Sequence, residues 1–241
     1  MLLLAIDTST SAITVALHDG SQVLAEATTL DARAHAEHLA PGIASVLASA
    51  GAAPGDVTGA VVGVGPGPFT GLRVGIVTAR TFAFALDLPV RGVCSHDALA
   101  HEAWLAGHRG GLLVATDARR KEVYASRFDL GADGCARVHG PEVAKAADLP
   151  EEWRRLATVG RGPMLYPESL PHGIPAAGSE TALLDVAAGA LGDLAARRWA
   201  GGSALPTVAL AAGDGFDGLE PLYLRRPDTQ PAPPSRKSTL G

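Results

Sequence analysis

The stretch Gly63-Val64-Gly65-Pro66-Gly67-Pro68-Phe69-Thr70-Gly71-Leu72-Arg73 decides how this chain folds. It follows the apolar run Ala60-Val61-Val62 and precedes a helical pattern that extends to about Leu86. A strand, a Gly/Pro loop and a helix in this order direct backbone N–H groups and the positive end of the helix dipole at one point. We predict Thr70 as the N-cap of this helix, since its hydroxyl can accept a first-turn amide, with Arg73 beside the loop.

The loop does not match the standard nucleotide-binding patterns. No Lys-Ser/Thr pair follows its last glycine, and no GxGxxG with an acidic residue about 20 positions later is present. Its glycines permit a close approach of another backbone, while Pro66 and Pro68 stiffen it. A specialised binding loop and an ordinary tight connection both remain open.

Composition limits the function classes. The chain has 241 residues, 47% of them apolar, which is enough for a full core and two modest domains. A net charge of −5 gives no basic nucleic-acid footprint, so an RNA partner would take most of its phosphate contacts from another protein. Cys94 and Cys135 form no metal or redox spacing. Without a membrane-length apolar run or a signal peptide, we expect a cytoplasmic protein.

The first half begins with strands. The run Leu2–Ile6 predicts a buried strand that stops at Asp7-Thr8-Ser9. Two further strands with Asp19-Gly20 between them predict a hairpin.

Three helices follow in this half. The first runs from about Glu37 to Ala50, with Pro41 in its first turn and one apolar face: Leu39, Ile43, Val46 and Leu47. The second, from Gly71 to Leu86, carries a stripe of small residues that another helix could approach closely, in a partner chain or in the same domain: Gly71, Gly75, Ala79 and Ala83. Ser95 caps the third.

The second half repeats the opening of the first. Its strand Leu112–Asp117 ends at an aspartate, as the first strand ends at Asp7, and a strand returns after the turn Ala118-Arg119-Arg120. An internal duplication explains this repetition. Later come a strand at Ala157–Val159, a helix from about Glu180 to Ala200 and a short extended segment at Pro221–Arg225. We expect domains at 1–107 and 108–226, joined by a glycine-rich segment, and a disordered tail at 227–241.

Two such halves resemble the α/β actin/Hsp70/sugar-kinase (ASKHA) fold, with duplicated βββαβα units. Within it the sequence resembles the TsaB (YeaZ) family. The markers are Ile6–Ser9, Gly65–Arg73, Asp117–Arg119 with Glu122–Tyr124, and Pro221–Arg225. The chain departs from the family in having Pro68 where a serine is usual.

The resemblance implies a non-catalytic subunit that requires no cofactor or metal of its own. TsaB works with the paralogous transferase TsaD and the ATPase TsaE to form N6-threonylcarbamoyladenosine beside the anticodon of tRNAs that read codons beginning with A. The complex uses ATP and Mg²⁺, and contact with tRNA occurs through the complex. TsaB pairs with TsaD through its N-terminal helices, and we expect a homodimer when TsaD is absent. The expected interface residues are Leu39, Ile43, Val46, Leu47, Gly71, Gly75, Ala79 and Ala83.

The residues themselves leave other functions open. Vestigial phosphate or nucleotide loops would use Asp7, Thr8, Ser9, Gly65, Gly67, Thr70, Gly71, Arg73 and Asp117, although an Asp-Thr-Ser strand exit is also an ordinary turn. The Asp117 loop has side chains where a phosphate needs bare backbone. His35 and His38 have helical spacing but no clear third metal ligand. A small-molecule kinase or phosphatase of the same fold and a metallopeptidase-like protein are the alternatives.

Overall fold

The computed structural model describes residues 1–30, 35–174, 183–200 and 219–225. In the first half, five strands and three helices follow one another: β1 Leu3–Asp7, β2 Ala12–His18, β3 Val23–Leu30, α1 His35–Ser49, β4 Gly59–Gly63, α2 Phe69–Ala85, β5 Val90–Val93 and α3 Ser95–Leu105. A short 3₁₀ turn, Pro54–Asp56, precedes β4. The predicted hairpin at Asp19-Gly20 is confirmed, because β2 pairs antiparallel with β3 across it.

The first sheet has the strand order β3-β2-β1-β4-β5. β1 pairs antiparallel with β2 and parallel with β4, and β4 pairs parallel with β5. Every residue of β1 is buried because helices cover both faces of the sheet, and alternate side chains enter two different cores. Leu4 and Ile6 pack in the core that holds α1 and α2, while Leu3 and Ala5 pack in the core that holds α3.

The second half repeats the strand arrangement of the first. It contains β6 Gly110–Asp117, β7 Val123–Leu130, β8 Cys135–Ala144, α4 Glu151–Arg154, β9 Ala157–Val159, α5 Gly162–Leu165 and α6 Ala188–Ala200. The second sheet has the order β8-β7-β6-β9, with β6 and β9 parallel. Since the same three antiparallel strands and parallel fourth strand recur, the predicted duplication and ASKHA fold class are confirmed. Sequence analysis missed β8, which is an edge strand with few buried residues.

Helix α6 packs on the first sheet although it lies late in the sequence. It contacts β1, β2 and β3 and packs beside α3. A Cβ at Gly192 would lie 3.2 Å from the Cβ of His18, so the helix approaches the sheet closely. The two halves therefore share one apolar core, which includes Leu3, Leu112 and Leu191. The division at 107/108 stays a prediction, and the predicted tail at 227–241 lies outside the described residues.

Several predicted helix details are wrong. The N-cap of α2 is Pro68, and the Thr70 side chain is exposed in the first turn. The N-cap of α3 is Cys94 rather than Ser95, whose hydroxyl bonds elsewhere. Pro41 is the seventh residue of α1 and so lies beyond its first turn.

The last helix also begins later than predicted. α6 starts at Ala188, and residues 183–187 before it are not helical. Residues 175–182 lie outside the described part of the chain. Among the helices that the structure describes, none has the length and apolar character to cross a membrane.

The eight residues predicted for the partner interface lie inside the chain. They are buried: Leu39, Ile43, Val46, Leu47, Gly71, Gly75, Ala79 and Ala83. The four aliphatic residues of α1 pack against the first sheet, and a Cβ at Gly75 would lie 2.3 Å from Thr8 Oγ1. These side chains therefore pack inside the folded chain, and their assignment to a partner interface stays a prediction. That α1 and α2 belong to a partner surface stays a prediction.

Candidate functional site

The carboxylate of Asp7 lies at the carboxyl end of β1 and is fully buried. Its Oδ1 accepts hydrogen bonds from Ser9 N and Ser9 Oγ at 2.8 and 2.7 Å. Its Oδ2 accepts a hydrogen bond from Ser95 Oγ at 2.6 Å. Burial raises the pKa of Asp7, while the hydrogen bonds from Ser95 and Ser9 lower it by a smaller amount. The carboxylate is thus held by groups of the chain itself.

Two glycines allow this arrangement. A Cβ at Gly63 would lie 1.7 Å from Asp7 Oδ2, so the carboxylate occupies the place of a side chain there. Gly65 has φ +100° and donates its N–H to Ser95 Oγ at 3.1 Å. Together they connect the end of β1, the Gly/Pro loop and the start of α3.

The Gly/Pro loop packs on the residues that follow β1. Thr8 Oγ1 donates to the carbonyl of Gly71 at 2.8 Å. A Cβ at Gly67 would lie 2.3 Å from the carbonyl oxygen of Ser9, which excludes any side chain at that position. Tyr124, in the second sheet, donates a long hydrogen bond of 3.4 Å to Gly67 O. The loop therefore covers the end of β1, where the sequence analysis considered a phosphate-binding loop.

Asp117 ends β6 and organises the turn after it. Its Oδ1 accepts Arg119 N at 2.7 Å, and its Oδ2 lies 3.2 Å from the Arg119 guanidinium. Arg119, Arg120 and Lys121 have positive φ angles, and the turn contains no glycine. The carboxylate of Asp117 is thus engaged within its own turn.

The space between the two strand exits is a small cavity. Its volume is about 10 Å³, about the space of one water molecule. Ser9, Ser11 and Pro68 line it from the first half, and Asp117, Arg161 and Asp185 line it from the second. Binding pockets for small ligands are about 300–1,000 Å³. The cavity in this conformation is therefore far too small for a nucleotide.

Asp185 closes one side of this cavity. It accepts hydrogen bonds from Arg161 Nε at 2.9 Å and Arg161 Nη2 at 2.5 Å, and one from Ser11 N at 3.2 Å. Since Ser11 lies in the first half, the hydrogen bond from Ser11 N to Asp185 links the two halves.

Residues 219–225 form a strap across the loop and the second half. Leu219 and Leu222 are buried in the core of α1 and α2, and Leu222 N donates to Val64 O at 2.8 Å. Arg225 Nη1 donates to Ala118 O at 2.9 Å, and its guanidinium forms an ion pair with Glu122. The strap joins the Gly/Pro loop to the Asp117 turn.

Comparison with known proteins supplies the family. The model of a protein family described as "TsaD: tRNA N6-adenosine threonylcarbamoyltransferase" matches residues 22–197. The tRNA threonylcarbamoyladenosine biosynthesis protein TsaB of Escherichia coli is 34% identical over 70% of this chain and 74% of that protein. The chain belongs to the TsaB (YeaZ) family.

Two further relatives cover more of this TsaB-family chain. An uncharacterized protein of Mycobacterium tuberculosis is 41% identical over 95% of the chain and 93% of its own length. The crystal structure of YeaZ from Pseudomonas aeruginosa is 31% identical, covers 83% of this chain and 93% of its own, and superposes with a TM-score of 0.70.

The exposed face of α2 was not predicted. Phe84 is 90% exposed and Val77 is 58% exposed, and with Arg80 and Thr81 they line an open depression of about 300 Å³. Single exposed apolar side chains are common on protein surfaces, but Phe84 and Val77 lie two turns apart on one face of α2 and form an apolar patch. The buried stripe and this face lie on opposite sides of one helix, and hydrophobic periodicity could not tell which side a partner would meet.

Histidines do not form a metal site in the described part of this TsaB-family chain, where no cluster of three His, Cys, Asp or Glu ligands occurs. Burial lowers the pKa of His96 to about 3, with a smaller contribution from Arg137, and its ring lies between Ser126 and Thr116. His101 contacts Asp193 at 2.7 Å. The side chain of His35 lies outside the described residues, so the His35/His38 hypothesis stays open.

The structure brings together most of the residues predicted for the vestigial loops. Asp7, Thr8 and Ser9 meet Gly65, Gly67 and Gly71 in one polar network. Asp117 faces that network across the cavity, whereas Thr70 and Arg73 are exposed and do not line it. Sequence analysis did not assign Ser95, Asp185 or Tyr223 to the site, because nothing in their local sequence marks a partner far along the chain.

Proposed function

We propose that this chain is the non-catalytic subunit of the complex that forms N6-threonylcarbamoyladenosine next to the anticodon of tRNAs reading codons that begin with A. In this proposal it binds and activates the transferase TsaD together with the ATPase TsaE. It needs no cofactor itself, while the complex uses ATP and Mg²⁺.

The observation that carries the proposal is the closed environment of Asp7. An aspartate that takes part in ATP hydrolysis must reach the substrate or its metal ion. Here both carboxylate oxygens accept hydrogen bonds from Ser9 and Ser95, and the cavity lined by Ser9 is about 10 Å³. Because the Asp7 carboxylate has no access to a substrate in this conformation, the structure supports a role for the chain in assembly rather than in catalysis.

The exposed face of α2 supports the choice of a protein partner. Phe84 and Val77 offer apolar surface on a rigid helix, and Arg80 and Thr81 supply polar groups beside it. Aromatic residues of this kind are frequent anchors of interfaces. We propose that TsaD covers this face, and that a second copy of the chain covers it when TsaD is absent. An interface of ordinary size, about 1,600 Å² in total, would make the two dimers mutually exclusive.

The decisive experiment is reconstitution from purified components. TsaD, TsaE, tRNA, ATP, Mg²⁺ and threonylcarbamoyl-adenylate are incubated with and without this chain, and the modified nucleoside is measured by mass spectrometry. We expect product only when the chain is present. Equal product without it, or product from the chain alone, contradicts the proposal.

A pair of variants tests the surface in the same assay. Phe84→Asp should weaken both dimers at least about tenfold, because loss of an interface anchor costs about 2 kcal/mol or more. Val138→Asp is the matched control, since Val138 is 46% exposed on β8 of the other sheet. Sedimentation gives both dimer affinities, and an unchanged heterodimer for Phe84→Asp places the interface elsewhere.

A further inference from the structure

The tip of the β6–β7 hairpin carries three consecutive cationic residues in an unfavourable conformation. Arg119, Arg120 and Lys121 have φ angles of 63°, 52° and 64°. A left-handed backbone costs a residue other than glycine roughly 1–2 kcal/mol. Glycine would adopt it freely, so backbone preference does not account for Arg, Arg and Lys at these positions. Strain of this kind concentrates at functional sites, where the side chains are what the strained backbone presents.

The turn is held rigidly from several sides. Ala118 N donates to Glu122 O at 3.0 Å, and Asp117 Oδ1 accepts Arg119 N at 2.7 Å. Arg225 of the strap binds Ala118 O and pairs with Glu122. The three residues at the tip remain exposed, and the Arg119 side chain retains 61% of its accessible surface. A fixed backbone thus places three cationic side chains at an exposed tip.

An aromatic pair adjoins this turn. The rings of Phe69 and Tyr223 have centroids 4.8 Å apart. Arg73 lies 4.2 Å over the Phe69 ring and donates from Nε to Tyr223 Oη at 3.1 Å. Tyr223 is 37% exposed. Because Tyr223 is only two residues from Arg225, the Cα atoms of these residues are at most about 7 Å apart. Since Arg225 binds Ala118 O, the strap connects the aromatic pair to the base of the cationic turn.

We propose that the Phe69–Tyr223 pair and the Arg119–Lys121 turn form a contact surface for the RNA substrate, and this inference rests on the proposed function. Phosphates bind the cationic turn, and an unstacked base packs on the aromatic pair. Single-stranded RNA is bound by this combination of stacking rings and nearby cations. An acidic protein segment could use the same cations and the exposed Tyr223 ring. We choose RNA because it supplies phosphates and flat bases together, and a loss of assembly in the test below would assign the surface to a protein.

The net charge of −5 limits this contact to a local one. The chain as a whole repels a polyanion, so the surface adds affinity only where another subunit already holds the RNA. The experiment therefore uses the assembled complex rather than the isolated chain.

Lys121→Gly separates an RNA role from a structural role. It removes one cation and also removes the unfavourable conformation at that position. The thermal stability should stay unchanged or rise, while the affinity of the complex for a tRNA transcript falls about threefold. The dependence of log K on log salt should become shallower by about 0.7, as expected for one lost phosphate contact on a single strand.

Arg155→Ala is the matched control. It removes one exposed cation before β9, at the end of the second sheet opposite the Asp117 turn, and should change neither affinity nor salt dependence. Tyr223→Ala tests stacking and should weaken tRNA binding about tenfold, whereas Tyr223→Phe should retain most of it.

Three outcomes decide the inference. Lower affinity with a shallower salt dependence for Lys121→Gly, and not for Arg155→Ala, supports it. Unchanged tRNA binding by Lys121→Gly and Tyr223→Ala overturns it, as does a loss confined to assembly with TsaD or TsaE, which would assign the surface to a protein. A wild-type complex that binds tRNA through this surface yet makes no modified nucleoside overturns the proposed function and leaves the RNA contact standing.

Discussion

Ser95 Oγ donates a 2.6 Å hydrogen bond to Asp7 Oδ2 across 88 positions of sequence, inside the first half of the molecule. The same hydroxyl accepts the N–H of Gly65, so one side chain joins the end of β1, the Gly/Pro loop and the start of α3. These hydrogen bonds satisfy the aspartate within the chain and hold the loop in one conformation.

Gly63→Ala should unfold the chain or destabilise it by more than about 4 kcal/mol, because its Cβ would overlap Asp7 Oδ2 at 1.7 Å. Gly55→Ala is the control, since a Cβ there meets nothing within 4 Å. Denaturant unfolding of both variants checks this. A stable Gly63→Ala protein would show that Asp7 can leave its position beside β4.

Gly75→Ala should destabilise the monomer, because its Cβ would lie 2.3 Å from Thr8 Oγ1. Thr8→Ala alone loses one buried hydrogen bond, worth about 1 kcal/mol. In the double variant the added methyl occupies the space of the removed hydroxyl, so its loss should be smaller than the sum of the single losses. Unfolding free energies of the four proteins test this, and simple additivity would mean that the residues do not touch.

Glu102→Gln should stabilise the chain at high pH only. Burial, with a smaller effect of Glu26, raises the pKa of Glu102 from 4.5 to about 7. The folded state therefore binds its proton more tightly than the unfolded state, and the resulting stability is present below pH 4.5 and lost as the pH rises through 7. Glutamine cannot ionise, so the variant should gain up to about 3 kcal/mol over wild type at pH 8 and almost nothing at pH 4.

Unfolding at the two pH values, with exposed Glu152→Gln as the control, measures the gain for Glu102→Gln. An equal gain at both pH values would mean that ionisation of Glu102 is not the cause.

The sequence predicted the elements whose residue pattern depends only on the element itself. The buried strands β1, β4 and β6 and the strand-loop-helix unit at Gly63–Arg73 were located because apolar runs and Gly/Pro loops are local signals. The direction of the α2 stripe was not predictable, since small residues suit an internal neighbour such as Thr8 as well as an external helix. The strap was recognised only as an extended segment, because the Tyr223 contact with Arg73 spans 150 positions.

The isolated chain should neither bind ATP at millimolar concentration nor hydrolyse it. The cavity at the strand exits is about 10 Å³, and Asp7 and Asp117 are both engaged by groups of the chain. Calorimetric titration and a phosphate-release assay on protein free of TsaD and TsaE measure the two properties.

Asp7→Asn distinguishes intrinsic hydrolysis from a contaminant. Turnover at rates typical of enzymes, about 1–1,000 per second, that disappears in a folded Asp7→Asn protein would overturn the non-catalytic assignment. Turnover that persists unchanged in this variant does not depend on Asp7 and indicates a contaminating ATPase. Arg161→Ala extends the test by removing the ion pair with Asp185 that narrows the cavity. We expect this variant to lose stability and still show no hydrolysis, since Ser9 and Ser95 continue to hold the Asp7 carboxylate.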